Sequence, residues 1–269
     1  MTLPEPSTAA GRAGLAALIA DPARALVAVD FDGTLAPIVE RPEYAAALPA
    51  AIEALRLLRV AVGVCAIVSG RPALDVVRLV DDADGLVVLG HYGLERWSHE
   101  EVESPPQAPG VAIARDELRS VLRDAVPGVY VEDKVHSLVV HTRPADDPAG
   151  ALAELAPALR ALAARHGLEA VDGRFVVELR PPGVDKGAAL RDLGANRSAV
   201  LYAGDDLADL PAFDAIDDLR ASGIPGVTVA SVGGADAPPG LATRADLAVD
   251  GPEGVASLLA AIAAAIGTP

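Results

Sequence analysis

Four short runs in this chain are apolar at nearly every position: LVAVD (26–30), residues 63–68, LVVLG (86–90) and AVLYA (199–203). A strand buried on one face alternates apolar with polar residues, whereas a strand covered on both faces does not. These runs therefore need cover above and below. Ala- and Leu-rich stretches at 48–59, 72–80, 186–193 and 207–219 can supply it as helices, with 253–266 closing the chain. Strand alternating with helix specifies an α/β fold whose core is a doubly wound, Rossmann-like parallel sheet. Apolar residues make up 51% of the chain but aromatic ones only 3%, so Ala, Val and Leu must fill that core.

The middle third follows a different rule. After the Pro-rich SPPQAPG (104–110) comes a helical stretch (111–125), then GVYVEDKVHSLVVHTR (128–143), which alternates like paired antiparallel strands. A second helix (148–165) and a second extended pair (167–182) repeat that order, with Asp172-Gly173 as the hairpin signal. We expect an α+β cap at 106–180 inserted into a core made of 1–105 and 181–269, with the Pro-rich segments 104–109 and 181–182 as hinges. Residues 1–24 read only as a lead-in with room for a first helix.

Charge narrows the partners. With 38 acidic residues against 22 basic ones and no Lys/Arg cluster, neither nucleic acid nor an anionic membrane surface is expected as a partner. The start of the chain lacks a cationic segment followed by a long apolar one, and the apolar ASLLAAIAAAIG is too short to span a bilayer. A cytoplasmic protein, monomeric by preference, is the expectation. The single Cys65 lies in an apolar run and reads as a buried thiol.

Chemistry gathers where the strands end, the usual place for binding groups in open α/β sheets. The first strand runs into Asp30, Phe31, Asp32, Gly33 and Thr34. A plain turn needs one Asp or Asn and a Gly, not two carboxylates. An EF-hand beginning at Asp30 would require an acid at its twelfth position, where Arg41 stands. Ser69 follows the second strand, Lys186 opens a helix, and Asp205, Asp206 and Asp209 follow AVLYA. Together these residues suit phosphoryl transfer. Asp30 would attack phosphorus, Asp32 would protonate the leaving oxygen and later activate water, and Ser69 and Lys186 would hold the phosphoryl oxygens. Mg²⁺ is the expected cofactor, with Asp30, Asp32 and Asp205 counted around it. Asp206 and Asp209 read as supports for Asp205 and Lys186. Thr34 and Arg71 are expected at the substrate, although Arg71 could equally cap a helix.

The four stretches DFDGTL, VSGR, DKG and GDDLAD, in this order, resemble the four motifs of the haloacid dehalogenase superfamily of phosphatases. The insert narrows the resemblance. VEDKVHSLVVHTR looks like the cap segment of trehalose-6-phosphate phosphatases, and ELRPPGVDKG is similar to the Glu, Pro and DKG arrangement of that family. The resemblance implies that Glu132, Lys134 and Glu178 contact hydroxyls of the sugar distal to the phosphate. His141 and Arg143 match the pattern without an assigned contact. One departure stands out: the family often has His before Gly-Leu-Glu, and this chain has Tyr92 there, with His91 one place earlier.

The function expected from these readings is Mg²⁺-dependent hydrolysis of trehalose 6-phosphate, a small-molecule sugar phosphate, through an aspartyl-phosphate. Rival readings are a phosphatase of sucrose or mannosyl-glycerate phosphate, a phosphotransferase, and a non-catalytic sugar-phosphate sensor.

Overall fold

The computed structural model describes residues 3–39, 41–122, 127–233 and 240–267, Pro42 by its backbone alone. In chain order the first half contains α1 (Ala9–Ala20), β1 (Leu26–Val29), α2 (Pro49–Ala61), β2 (Val64–Val68), α3 (Ala73–Val80), β3 (Val87–Gly90), β4 (Glu95–Ser98) and β5 (Glu101–Glu103). Then come α4 (Pro109–Val121), β6 (Tyr130–Asp133), β7 (Leu138–His141), α5 (Pro148–Arg165), β8 (Glu169–Gly173) and β9 (Val176–Arg180). The chain closes with α6 (Lys186–Gly194), β10 (Val200–Gly204), α7 (Leu210–Ala221), β11 (Gly226–Val232), α8 (Leu241–Arg244), β12 (Leu247–Asp250) and α9 (Gly251–Ile266). Two compact units result, one of residues 1–104 with 185–269 and one of 105–184.

The first unit is an α/β sandwich around an eight-stranded sheet of order β12-β11-β10-β1-β2-β3-β4-β5. Its first six strands in that order pair in parallel, while β4 and β5 extend the edge antiparallel. Period-two geometry sends alternate residues to opposite faces. Val27, Val29, Cys65 and Ile67 meet residues of α1, α2, α3 and α9, such as Leu18, Leu58, Val76 and Leu259. Leu26, Ala28, Ala66, Val68 and Val200 meet α6 and α7 through Leu190, Phe213 and Ile216. Both faces of β1 are therefore covered, which is why its sequence carries no alternation.

Strands β11 and β12 and the β4–β5 hairpin were not among the expected elements. GVTVASV at β11 is as buried as β1, but β12 is four residues and half open, and β4 and β5 carry charged side chains. The Cys65 thiol is buried, and burial pushes it up to about 12.

The second unit is a four-stranded antiparallel sheet of order β6-β7-β9-β8. Leu138, Val140, Val177 and Leu179 on one face pack against α4 and α5 through Val111, Leu118, Leu159 and Leu162. The expected helix at 111–125 begins at Pro109, and its positions from 123 lie outside the described residues. The hairpin turn also differs from expectation. Gly173 pairs with Val176, so the two-residue loop is Arg174-Phe175 rather than Asp172-Gly173. Phe175 in that loop takes the left-handed conformation, φ 60°. Among the described residues no helix is long and apolar enough to cross a membrane.

Candidate active site

Strand order reverses at β1: the chain proceeds from β1 to β2 on one side, and β10 returns on the other. That switch point opens a crevice at the carboxyl ends of the strands. Parallel register sets Val29 opposite Ala203 and Ile67. Asp30 therefore leaves β1 level with the end of β10, where Asp205 begins, and next to the end of β2, where Ser69 follows. The Asp30 amide still bonds the Ala203 carbonyl at 2.9 Å, so its backbone is held by the sheet.

The loop after β1 is fixed by its own backbone. The Phe31 carbonyl accepts from the Leu35 and Ala36 amides, both at 2.9 Å, and Gly33 N–H donates to the Ala36 carbonyl at 2.7 Å. Gly33 has φ 75°, and a Cβ there would overlap the Asp205 carboxylate, so only glycine fits. Ser231 on β11 donates to the Gly33 carbonyl at 2.7 Å. Thr34, expected at the substrate, is buried and donates to Asp205 Oδ1 at 3.4 Å.

Lys186 enters from α6. The Asp185 side chain caps that helix by accepting from Ala188 N–H at 2.7 Å. Gly187 allows the start of α6 to press on the Pro211 carbonyl of α7, where a Cβ would collide. The D-K-G triplet thus holds a buried ammonium in place. Lys186 Nζ lies 2.8 Å from Asp30 Oδ1 and 2.7 Å from Asp209 Oδ1. Asp209 also accepts from Tyr202 Oη at 2.6 Å and from the Asp205 and Asp206 amides at 2.8 and 3.0 Å. The Asp206 side chain caps the 3-10 turn Leu207–Asp209.

Four carboxylates around one ammonium leave an excess of negative charge. Burial, opposed by Lys186 and reinforced by the neighbouring acids, lifts the Asp30 carboxyl well above its usual range. Burial and the Asp209 and Asp206 charges push Asp205 up to about 7. Burial works against charge on Asp209 as well, but Lys186 and its hydrogen bonds outweigh it, and its carboxyl stays below the ordinary range. Oxygens of Asp30, Asp205 and Asp209 lie within 4.8 Å of one another. An all-oxygen cluster with uncompensated charge fits a hard divalent cation. Because Asp209 already accepts four donors, Asp30 and Asp205 are the oxygens left to hold one.

Asp32 is directed elsewhere. Arg71 Nε and Nη2 grip its two oxygens, each at 2.6 Å, and the structure does not bring its carboxylate into the acidic cluster. Ser69 is buried and accepts from the Arg71 amide at 3.2 Å. The segment after β3 braces this loop: His91 N–H donates to the Arg71 carbonyl and Tyr92 N–H to that of Ser69, both at 2.9 Å. His91 and Tyr92 both adopt left-handed backbone, φ 48° and 59°. Glu95 Oε2 accepts from the Ala73 amide at 2.8 Å, capping α3. Arg71 thus reaches an anion of the chain itself, Asp32, while the first amide of α3 is taken by Glu95.

In the second unit, Glu132, Val139 and Glu178 lie directly opposite one another across β6, β7 and β9. They share the sheet face turned away from α4 and α5. Glu178 is buried and accepts from Ser137 Oγ at 2.6 Å. Glu132 Oε2 meets His141 Nε2 at 2.9 Å, and the His141 ring stacks on Tyr130 at 4.5 Å between centroids. Lys134 stands in the turn after β6, half-buried, and Arg143 is exposed. Tyr130 and Tyr202 were missed from sequence. For Tyr130 the period-two spacing from Glu132 was a usable signal, whereas nothing local marks Tyr202.

A trehalose-phosphatase family model matches residues 28–241. A trehalose-phosphate phosphatase of Mycobacterium marinum is 38% identical over 206 residues, covering 72% of this chain and 52% of that protein. A Mycobacterium tuberculosis protein described as an uncharacterised glycosyl hydrolase is 38% identical over 208 residues, 15% of its length. The chain thus spans about half the length of the phosphatase relative and a small part of the other. The C-terminal domain of Candida albicans trehalose-6-phosphate phosphatase superposes with a TM-score of 0.77 at 20% identity, over 98% of this chain and 99% of that one. That last likeness speaks for the fold.

Proposed function

The chain belongs to the trehalose-phosphatase family, and on that premise we propose that it hydrolyses trehalose 6-phosphate to trehalose and phosphate. The observation that carries this reading is the buried Asp30 carboxylate, 2.8 Å from Lys186 and beside Asp205 at the switch point of the sheet. Asp30 attacks phosphorus and the bond to the sugar oxygen breaks, leaving an aspartyl-phosphate on Asp30. Asp32 gives a proton to the departing oxygen. It then takes one from the water that attacks the phosphorus, freeing Asp30 and inorganic phosphate. Both Asp32 oxygens are held by Arg71, so one of those bonds opens when the leaving oxygen arrives. Ser69 and Lys186 donate to the phosphoryl oxygens, where negative charge develops. Asp30 and Asp205 would hold Mg²⁺, which when bound supplies the positive charge that lets a carboxylate meet a phosphate dianion.

Glu132, Lys134 and Glu178 are assigned to the hydroxyls of the distal glucose unit. Carboxylates suit this task because each accepts several hydroxyl donors at once. The test is phosphate release with Mg²⁺ from trehalose 6-phosphate, glucose 6-phosphate and sucrose 6-phosphate, using wild type and Glu178→Ala. We expect preference for trehalose 6-phosphate. In Glu178→Ala its kcat/KM falls about 100-fold while that of a small aryl phosphate barely moves. Equal losses on both substrates would remove Glu178 from sugar recognition, and faster turnover of another sugar phosphate would replace the substrate.

A further inference from the structure

Tyr202 lies on β10, fully buried, three residues before Asp205. Its ring packs edge-on against Phe213, centroids 6.3 Å apart, a contact that phenylalanine would make equally well. Packing therefore does not require the hydroxyl, and a phenol buried without a partner would be costly. The oxygen has a specific partner. It donates to Asp209 Oδ1 at 2.6 Å, the same oxygen that accepts from Lys186 Nζ at 2.7 Å. Oδ2 takes the Asp205 and Asp206 amides at 2.8 and 3.0 Å. A carboxylate offers about four lone-pair sites, and here each has a donor.

We infer that Tyr202 and Asp209 are positioning residues that set the place of the Lys186 ammonium between Asp209 and Asp30; the inference rests on the phosphatase reading above. Lys186 donates to Asp209 and forms an ion pair with Asp30, and of its three N–H groups one remains to serve a phosphoryl oxygen. The Tyr202 hydroxyl shares Asp209 Oδ1 with the ammonium and so limits how strongly that oxygen holds Lys186. Without it, Asp209 holds the ammonium more strongly, at the expense of its contact with Asp30 and the phosphoryl group. Because the third donor matters most where charge develops, the loss falls on kcat more than on KM.

The test compares wild type with Tyr202→Phe, Asp209→Asn and the double variant. It reads kcat and KM for a small aryl phosphate with Mg²⁺, and inorganic phosphate binding by calorimetry in the same buffer. Tyr202→Phe should lower kcat about 10-fold with KM within about twofold, weaken phosphate binding several-fold and lower Tm by only a few degrees. In the Asp209→Asn background the same substitution should cost nothing further, since the hydroxyl acts through that carboxylate. Wild-type kcat in Tyr202→Phe, or an equal loss in both backgrounds, would overturn the inference. Should Tyr202→Phe fail to fold, Asp209→Asn decides, and unchanged phosphate binding and kcat there would overturn it. The probes are indifferent to the sugar. A wild type that cleaves the aryl phosphate but ignores trehalose 6-phosphate would sink the substrate assignment and leave this inference standing.

Discussion

Asp30 and Asp209 share one ammonium, yet their acidities move in opposite directions. Asp209 meets Lys186, a phenol and two amides, so its charge is answered within the fold. Asp30 has Lys186 set against burial and three neighbouring acids. Asp30 is held above the usual carboxylate range and Asp205 is pushed up to about 7, so Asp205 makes folding take up a proton between about pH 4 and pH 7. The cation-free protein accordingly loses stability as pH rises through that window. A divalent cation held at these oxygens would reverse the trend. Mg²⁺ affinity should therefore weaken as pH falls below about 7, by up to about 10-fold per unit, with proton release on binding measurable by calorimetry. Affinity unchanged from about pH 6 to about pH 8 would detach the cation from Asp30 and Asp205. The charged residues of this site were legible in sequence because each ends a recognisable strand or opens a helix. Two other features were not: that Asp32 would be committed to Arg71, and that Tyr202 would stand behind Asp209. Both depend on contacts between residues 39 and 7 positions apart, respectively, whose side-chain directions no local pattern states.

Turns built without glycine account for much of what was hidden among the elements. The β4–β5 hairpin turns at His99-Glu100, with φ 52° and 65°, and Ser98 pairs with Glu101. That two-residue loop with both φ positive normally selects Asn-Gly, so its sequence gives no hairpin signal. Phe175 repeats the lesson. Replacing His99→Asn and Glu100→Gly together should relieve the strained turn and raise unfolding free energy by about 1 kcal/mol, read by urea denaturation. No gain would mean that neighbouring contacts already compensate the strain. The central strands were legible for the opposite reason: with both faces covered, β1, β2, β3 and β10 announce themselves as unbroken apolar runs. β12 and β5, short and partly open at the two edges of the sheet, do not.

At the scale of the whole molecule, each unit has an apolar core of its own. The residues proposed for phosphoryl transfer lie in the first unit and those proposed for the sugar in the second. Replacing residues 105–184 by a short linker should then leave a folded protein that cleaves a small aryl phosphate but no longer prefers trehalose 6-phosphate. Retained preference would return sugar recognition to the first unit. The alternation of strand and helix, broken by one helix–strand–strand repeat, is readable in the sequence, whereas the order in which the strands pair is not. The most direct measurement on the central claim is phosphate release from trehalose 6-phosphate with Mg²⁺ by wild type and by Asp30→Asn. The amide keeps the shape of Asp30 but cannot form the aspartyl-phosphate, so turnover should fall at least about 1,000-fold while the thermal unfolding profile persists. Turnover near wild type in Asp30→Asn would contradict the nucleophile and, with it, the account of the site.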